Sequence, residues 1–179
     1  MNIINVFIIL ATAILLLSCS KKNFSTNGET IYKTGRNLQG DKLLDKTASR
    51  IKIANSCKTC HGNNGDRMND VSIKYSDLIN PTLHNVPYTE RLFFRFLDQD
   101  LKSDGTKANI GVIWKMSDTD KKDLLDYKNL LQTIRNRIAE GIKSGKTVDQ
   151  IISSDPTKEF KTGFDKVFFV QSVYKSLKK

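Results

Sequence analysis

The chain has 179 residues, with 29 lysines and arginines against 19 aspartates and glutamates, a formal charge of +10, and only three cysteines. That length suits one domain with additions, and three cysteines are too few for the disulfide framework of a small exported domain. The positive balance admits nucleic acid, anionic lipid or an acidic protein partner, but no nucleic-acid motif accompanies it and the lysines are spread over most segments.

Residues 1–18, MNIINVFIILATAILLLS, carry no charged side chain, and Thr12 alone interrupts the apolar run over residues 6–17. The run is too short to span a membrane comfortably. At the extreme N-terminus it reads as a signal peptide, with the terminal amine as its only positive charge. It ends in Leu16-Leu17-Ser18-Cys19, which resembles the lipobox of bacterial lipoproteins. That resemblance implies cleavage before Cys19, lipidation of Cys19, and a protein anchored to a bacterial membrane facing the periplasm, inner or outer. Several acyl chains on one residue give stable anchoring. Residues 19–27 are polar and without periodicity, and read as a tether. Nucleic acid is not expected as a partner of such a protein.

With Cys19 assigned to lipid, Cys57 and Cys60 remain, in CKTCH. Zinc would want four ligands at short spacing, and the only other histidine is His84. A redox dithiol would want a βαβ context, and the flanks offer no parallel-strand runs. Residues 48–60 predict a helix leading into this pentapeptide. On a helix, positions 57, 60 and 61 share one face. Two thiols could then tether a haem through its vinyl groups while the imidazole of His61 reaches the iron from the same side.

Downstream, residues 89–102 carry Leu92, Phe93, Phe96, Leu97 and Leu101 as a helical stripe. Ser117-x-x-Asp120 is a capping-box pattern that opens a helix over residues 118–140, stopping at Gly141. Its predicted buried face is Leu124, Tyr127, Leu131, Ile134 and Ile138. Thr147-x-x-Gln150 caps a short helix that Pro156 ends. A last helix from about Asp165 places Val167, Val170, Tyr174 and Leu177 on one face.

Taken together these stretches resemble the class I c-type cytochromes of bacteria, over residues 28–131. CHGNNG (residues 60–65) is similar to that family's CHG-x-x-G, whose glycines let the backbone pass close to the porphyrin. NPTL (residues 80–83) is similar to its proline-x-leucine, which implies that the Pro81 carbonyl accepts a hydrogen bond from the ligating imidazole. Residues 88–105 resemble its middle helix and the glycine that ends it. WKM, residues 114–116, resembles its distal methionine, although Ser117 stands where the family more often has proline. The string from 126 to 177 also faintly resembles the helical tail of metallo-β-lactamase-fold hydrolases. None of that fold's metal-binding histidine motif is present, so no hydrolase activity is implied.

A c-type haem iron takes a second axial ligand or keeps an open site. Met116, 55 positions beyond His61, is the leading candidate, with Trp114 beside it to cover the haem edge. His84, Met68 and an open iron are the competitors. The expected molecule is all-α, a small cytochrome c fold with one covalent haem c. Its expected divisions are a signal peptide (1–18), a lipidated tether (19–27), the cytochrome domain (28–136) and a helical extension (137–179). Its expected role is electron transfer to redox partners with acidic docking faces, without catalysis of its own. An accessory haem subunit of a dehydrogenase or reductase, and a haem-based sensor with open iron, are the alternatives.

Overall fold

The computed structural model describes residues 24, 26–63, 65–68, 72–161 and 165–178. The signal segment and Cys19 lie outside the described residues. Among the described residues the chain is helical, with only isolated β-bridges at Arg36–Lys42, Leu44–Trp114 and Leu101–Lys107. No described helix is long and apolar enough to cross a membrane.

The helices in chain order are α1 (Asn27–Thr34), α2 (Cys57–His61), α3 (Tyr75–Leu78), α4 (Glu90–Gln99), α5 (Asp118–Lys143), α6 (Val148–Ser153) and α7 (Lys166–Leu177). The first helix starts at the last residue of the predicted tether, Asn27, with Thr26 as its cap. Thr26 starts it from extended backbone, its hydroxyl accepting from the Glu29 N–H at 3.0 Å. Gly35 ends it at φ 68°, donating to the Ile31 carbonyl at 2.8 Å.

The long helix α5 spans 26 residues, about 39 Å. Ser117 and Asp120 form the predicted capping box in both directions. The helix runs past Gly141, which is buried rather than terminal. A Cβ there would meet Ile151 at 2.8 Å, so the glycine admits α6 against α5. Ile134 and Ile138 of α5, Ile151 of α6 and Val170 of α7 form a fully buried cluster. Phe169, Val173, Tyr174 and Leu177 of α7 pack on it, whereas the expected Val167 is 47% exposed. Val170, Tyr174 and Leu177 thus stand on the buried face as expected, and Phe169 rather than Val167 joins them.

Two further expectations are corrected. Residues 48–56 are not helical. Their backbone is spent across the chain: the Arg50 and Ile51 N–H groups donate to the Gly111 carbonyl at 2.8 and 3.0 Å, and the buried Ser49 hydroxyl accepts from the Ile113 N–H at 2.9 Å. Glycine also does not end α4. Asp100 does, in the left-handed region at φ 56°, and Gly105 sits in the turn beyond.

α1 crosses α5 at Gly28. A Cβ on Gly28 would lie 2.1 Å from the Asp123 carbonyl oxygen and 2.6 Å from the Tyr127 Cβ, so only glycine allows this approach. Gly28→Ala is expected to destabilise the protein by about 1–3 kcal/mol through overpacking; urea unfolding of the variant beside the parent measures it.

Candidate haem-attachment site

The pentapeptide forms one helical turn of its own. α2 starts after the buried Ser56 and ends at Gly62, whose N–H donates to the Lys58 carbonyl at 2.9 Å and whose φ is 72°. Cys57, Cys60 and His61 therefore lie on one face of a single turn. Neither cysteine is in a disulfide. Cys57 keeps some exposure, yet burial pushes its thiol up to about 12, with the neighbouring Cys60 adding to the rise. Among the described residues no three His, Cys, Asp or Glu side chains form a cluster that could hold a metal ion.

α1 holds this turn in place. The Tyr32 hydroxyl donates to the Gly62 carbonyl at 2.8 Å. Burial, followed by the charges of Cys57 and Asp66, raises the phenol above its ordinary value, so it remains a protonated donor. Gly35 presses on the residue before Ser56, where a Cβ would stand 2.0 Å from the Asn55 carbonyl oxygen. Gly28 and Tyr32 are four residues apart, so one face of α1 meets both α5 and α2.

The segment bearing Trp114 and Met116 comes back to the stretch that feeds α2. Leu44 bridges Trp114, the Asp45 N–H donates to the Ile113 carbonyl at 2.8 Å, and the Lys115 N–H donates to the Leu43 carbonyl at 2.7 Å. Lys115 Nζ also reaches Asp45 Oδ2 at 2.8 Å. Met116 is half-buried and sits between this anchored lysine and Ser117, the α5 cap. Its backbone is thus pinned on both sides.

The competing ligands have other surroundings. Met68 is 48% exposed. The His84 ring packs edge-on to Tyr88, centroids 5.1 Å apart, and Tyr88 in turn meets Phe96. Pro81 is exposed in the turn after α3, where the His84 N–H donates to the Asn80 carbonyl at 3.0 Å.

The surroundings suit an apolar prosthetic group. Among the described residues no apolar side chain between Ala54 and Ile134 is fully buried. Leu92, Phe93, Phe96 and Leu97 of α4 are all half-buried, and Ile79, Leu83, Val86 and Ile113 are more exposed still. α4 is nevertheless tied down. Arg95 donates to the Lys102 and Ser103 carbonyls at 2.8 and 3.1 Å. Lys121 of α5 pairs with Asp98 at 2.9 Å. A rigid apolar helix with none of its stripe fully enclosed is a surface for a flat apolar group to cover. Two thiols, an imidazole and a thioether are the donor set a haem c takes.

Sequence reasoning missed Tyr32, Gly35 and the Asp45–Lys115 pair. The pattern Thr26-x-x-Glu29 could have marked α1. Nothing in the linear chain joins Asp45 to Lys115. No family model, curated protein or solved structure matches the chain.

Asp45 offers a pH test of the pinning. The hydrogen bond from Lys115, then the Ala48 and Thr47 N–H groups, hold its carboxyl down to about 2 from an ordinary 3.8. A carboxylate depressed on folding adds stability above its unfolded value and loses it as pH falls through the folded one. Asp45→Asn is expected to be less stable than the parent at pH 7, with the gap closing between about pH 4 and pH 2; urea midpoints across that range measure it.

Proposed function

We propose that the protein is a membrane-tethered single-haem cytochrome c that carries one electron per cycle outside the cytoplasm. The observation that carries this reading is α2, one turn with Cys57, Cys60 and His61 on a common face; α4 adds to it with an apolar stripe that is nowhere fully enclosed. In this reading the cytochrome fold spans residues 28–136, and residues 137–179 extend it.

Haem, when bound, supplies a one-electron iron couple. The chain supplies the rest. The Cys57 and Cys60 thiols would tether the group by adding across its two vinyl double bonds. His61 would ligate the iron, with the Pro81 carbonyl orienting its imidazole. Met116 would supply the second ligand, a soft thioether that favours the reduced state and raises the potential. Trp114, bridged to Leu44, covers the edge. α4 excludes water, which keeps reorganisation on electron transfer small. No catalytic residue is needed. Anchoring through Cys19 keeps the carrier at the periplasmic side of a membrane, and the +10 charge steers it to acidic faces of redox partners, with on-rates that fall as salt rises.

Expression with a cytochrome maturation system should yield a coloured protein whose haem stays attached through denaturing electrophoresis. Cys57→Ser and Cys60→Ser together should abolish that attachment. A colourless product with two free thiols would sink the reading.

Met116→Ala should lose the low-spin spectrum and drop the reduction potential, while His84→Ala leaves both unchanged. Carbon monoxide binding to the reduced parent without denaturant would remove Met116 as a ligand and favour a sensor.

A further inference from the structure

We propose that the C-terminal extension is a second membrane contact, in which the start of α7 rests on the anionic phospholipid surface beside the lipid anchor. The proposal rests on the lipid-anchored reading of Cys19 given above. It assigns an occupant to a surface that the electron-carrier reading does not use.

The first support is an exposed apolar pair. Phe168 is 70% exposed and Val167 47%, at the start of a helix whose opposite face is locked into the buried cluster through Val170. Asp165 caps α7 at Phe168, its carboxylate accepting from the Phe168 N–H at 3.0 Å. The two apolar side chains are thus held outward on a rigid element rather than on a loose end. Along the same exposed face follow Gln171, Ser172 and Lys175. An apolar patch bordered by lysines, on a helix with its other side buried, is the composition of an interfacial element.

The second support is charge. Lys158, Lys161, Lys166, Lys175 and Lys178 belong to this part of the chain. Its carboxylates are largely answered within the protein. Glu159 pairs with Arg137, and Asp155 accepts from Thr157 and faces Lys166 at 3.7 Å. Asp165 is spent on the cap. The net field over this end is positive and suits anionic headgroups.

The third support is reach. Thr26 is seven positions beyond Cys19, at most about 25 Å of chain, so the surface around Thr26 cannot lie far from the bilayer. Thr26, Asn27 and Gly28 share the wall of one cavity, about 360 Å³, with Phe160 of the extension. Lys166, at the start of α7, faces Asp155 of the same turn region, and Arg137 holds that region through the Pro156 carbonyl at 2.9 Å. The chain that leaves the tether therefore shares a cavity wall with Phe160, eight residues before Phe168. Anchor and patch can touch one membrane together, and two contacts fix how the rest of the molecule faces partners, where one acylated residue leaves it to swivel.

The test uses the mature holoprotein, its acylation read by intact mass. It is reconstituted into phosphatidylcholine vesicles with and without phosphatidylglycerol, and amide exchange is followed over residues 165–178. Exchange at the start of α7 should slow several-fold on the anionic vesicles only, and recover as salt rises. Phe168→Ser should abolish the slowing with the circular dichroism and haem spectrum unchanged, and Phe168→Trp should restore it. Equal exchange on both vesicles and in detergent, or slowing that survives Phe168→Ser, overturns the proposal. So does slowing that grows with protein concentration without lipid, which would mark contact between copies of the chain. An unacylated mass would sink the anchor separately. The same vesicles added to that protein then decide: Phe168-dependent slowing upholds the contact, and its absence overturns it.

Discussion

α1 and α5 approach so closely at Gly28 that a single added carbon would meet the Asp123 carbonyl oxygen at 2.1 Å. The rest of the candidate site hangs on this crossing. One turn further along α1, Tyr32 bonds the Gly62 carbonyl at the end of α2, and Gly35 seats the chain just before it. At the other side of the crossing, the capped start of α5 holds Ser117, and so Met116. The two halves of the proposed ligand set are separated by 55 positions in the chain, and they belong to two elements that meet through one pair of helices. A shift of α1 over α5 would move both.

Burial is divided unevenly along the molecule. The end built from α5, α6 and α7 has a closed aliphatic cluster of its own, Ile134, Ile138, Ile151 and Val170. The middle, from α2 to the Trp114 segment, is organised by hydrogen bonds, turns and ion pairs, with its apolar side chains half-covered. Burial of apolar area is the main favourable term in folding, so the middle has the smaller share of it in the chain alone. In the proposed reading, a covalently held haem supplies the missing apolar contact, and the middle gains order with it. The extension then has a structural use as well as the proposed membrane contact, because it stabilises the far half of α5 independently of the site.

Much of the site was legible along the chain because its chemistry is local. Cys57, Cys60 and His61 fall within one helical turn, and the turn formed as the spacing predicts. Capping boxes are equally local, and those at Ser117 and Thr147 both form. Where local preference competed with a distant partner, sequence reasoning failed. Residues 48–56 have helical spacing, yet their N–H groups go to Gly111 and their Ser49 hydroxyl to Ile113. Gly141 reads as a stop, yet Ile151 needs its missing side chain. Gly105 reads as the end of α4, yet Asp100 reaches the left-handed region first.

The sequence by itself determined the helical character and the place of the CKTCH turn, since each depends on residues within about four positions of one another. Only the tertiary structure decided what steadies that turn and what pins WKM to the stretch that leads into it. Those are the Tyr32 bond to Gly62, the glycine-only crossing of α1 over α5, and the pairing of residues 43–51 with 111–115. It also decided that α7 turns Phe169 inward and leaves Phe168 outward. These are contacts between segments far apart in the chain. Their partners are chosen by which surfaces meet in the folded protein, and no local pattern encodes that.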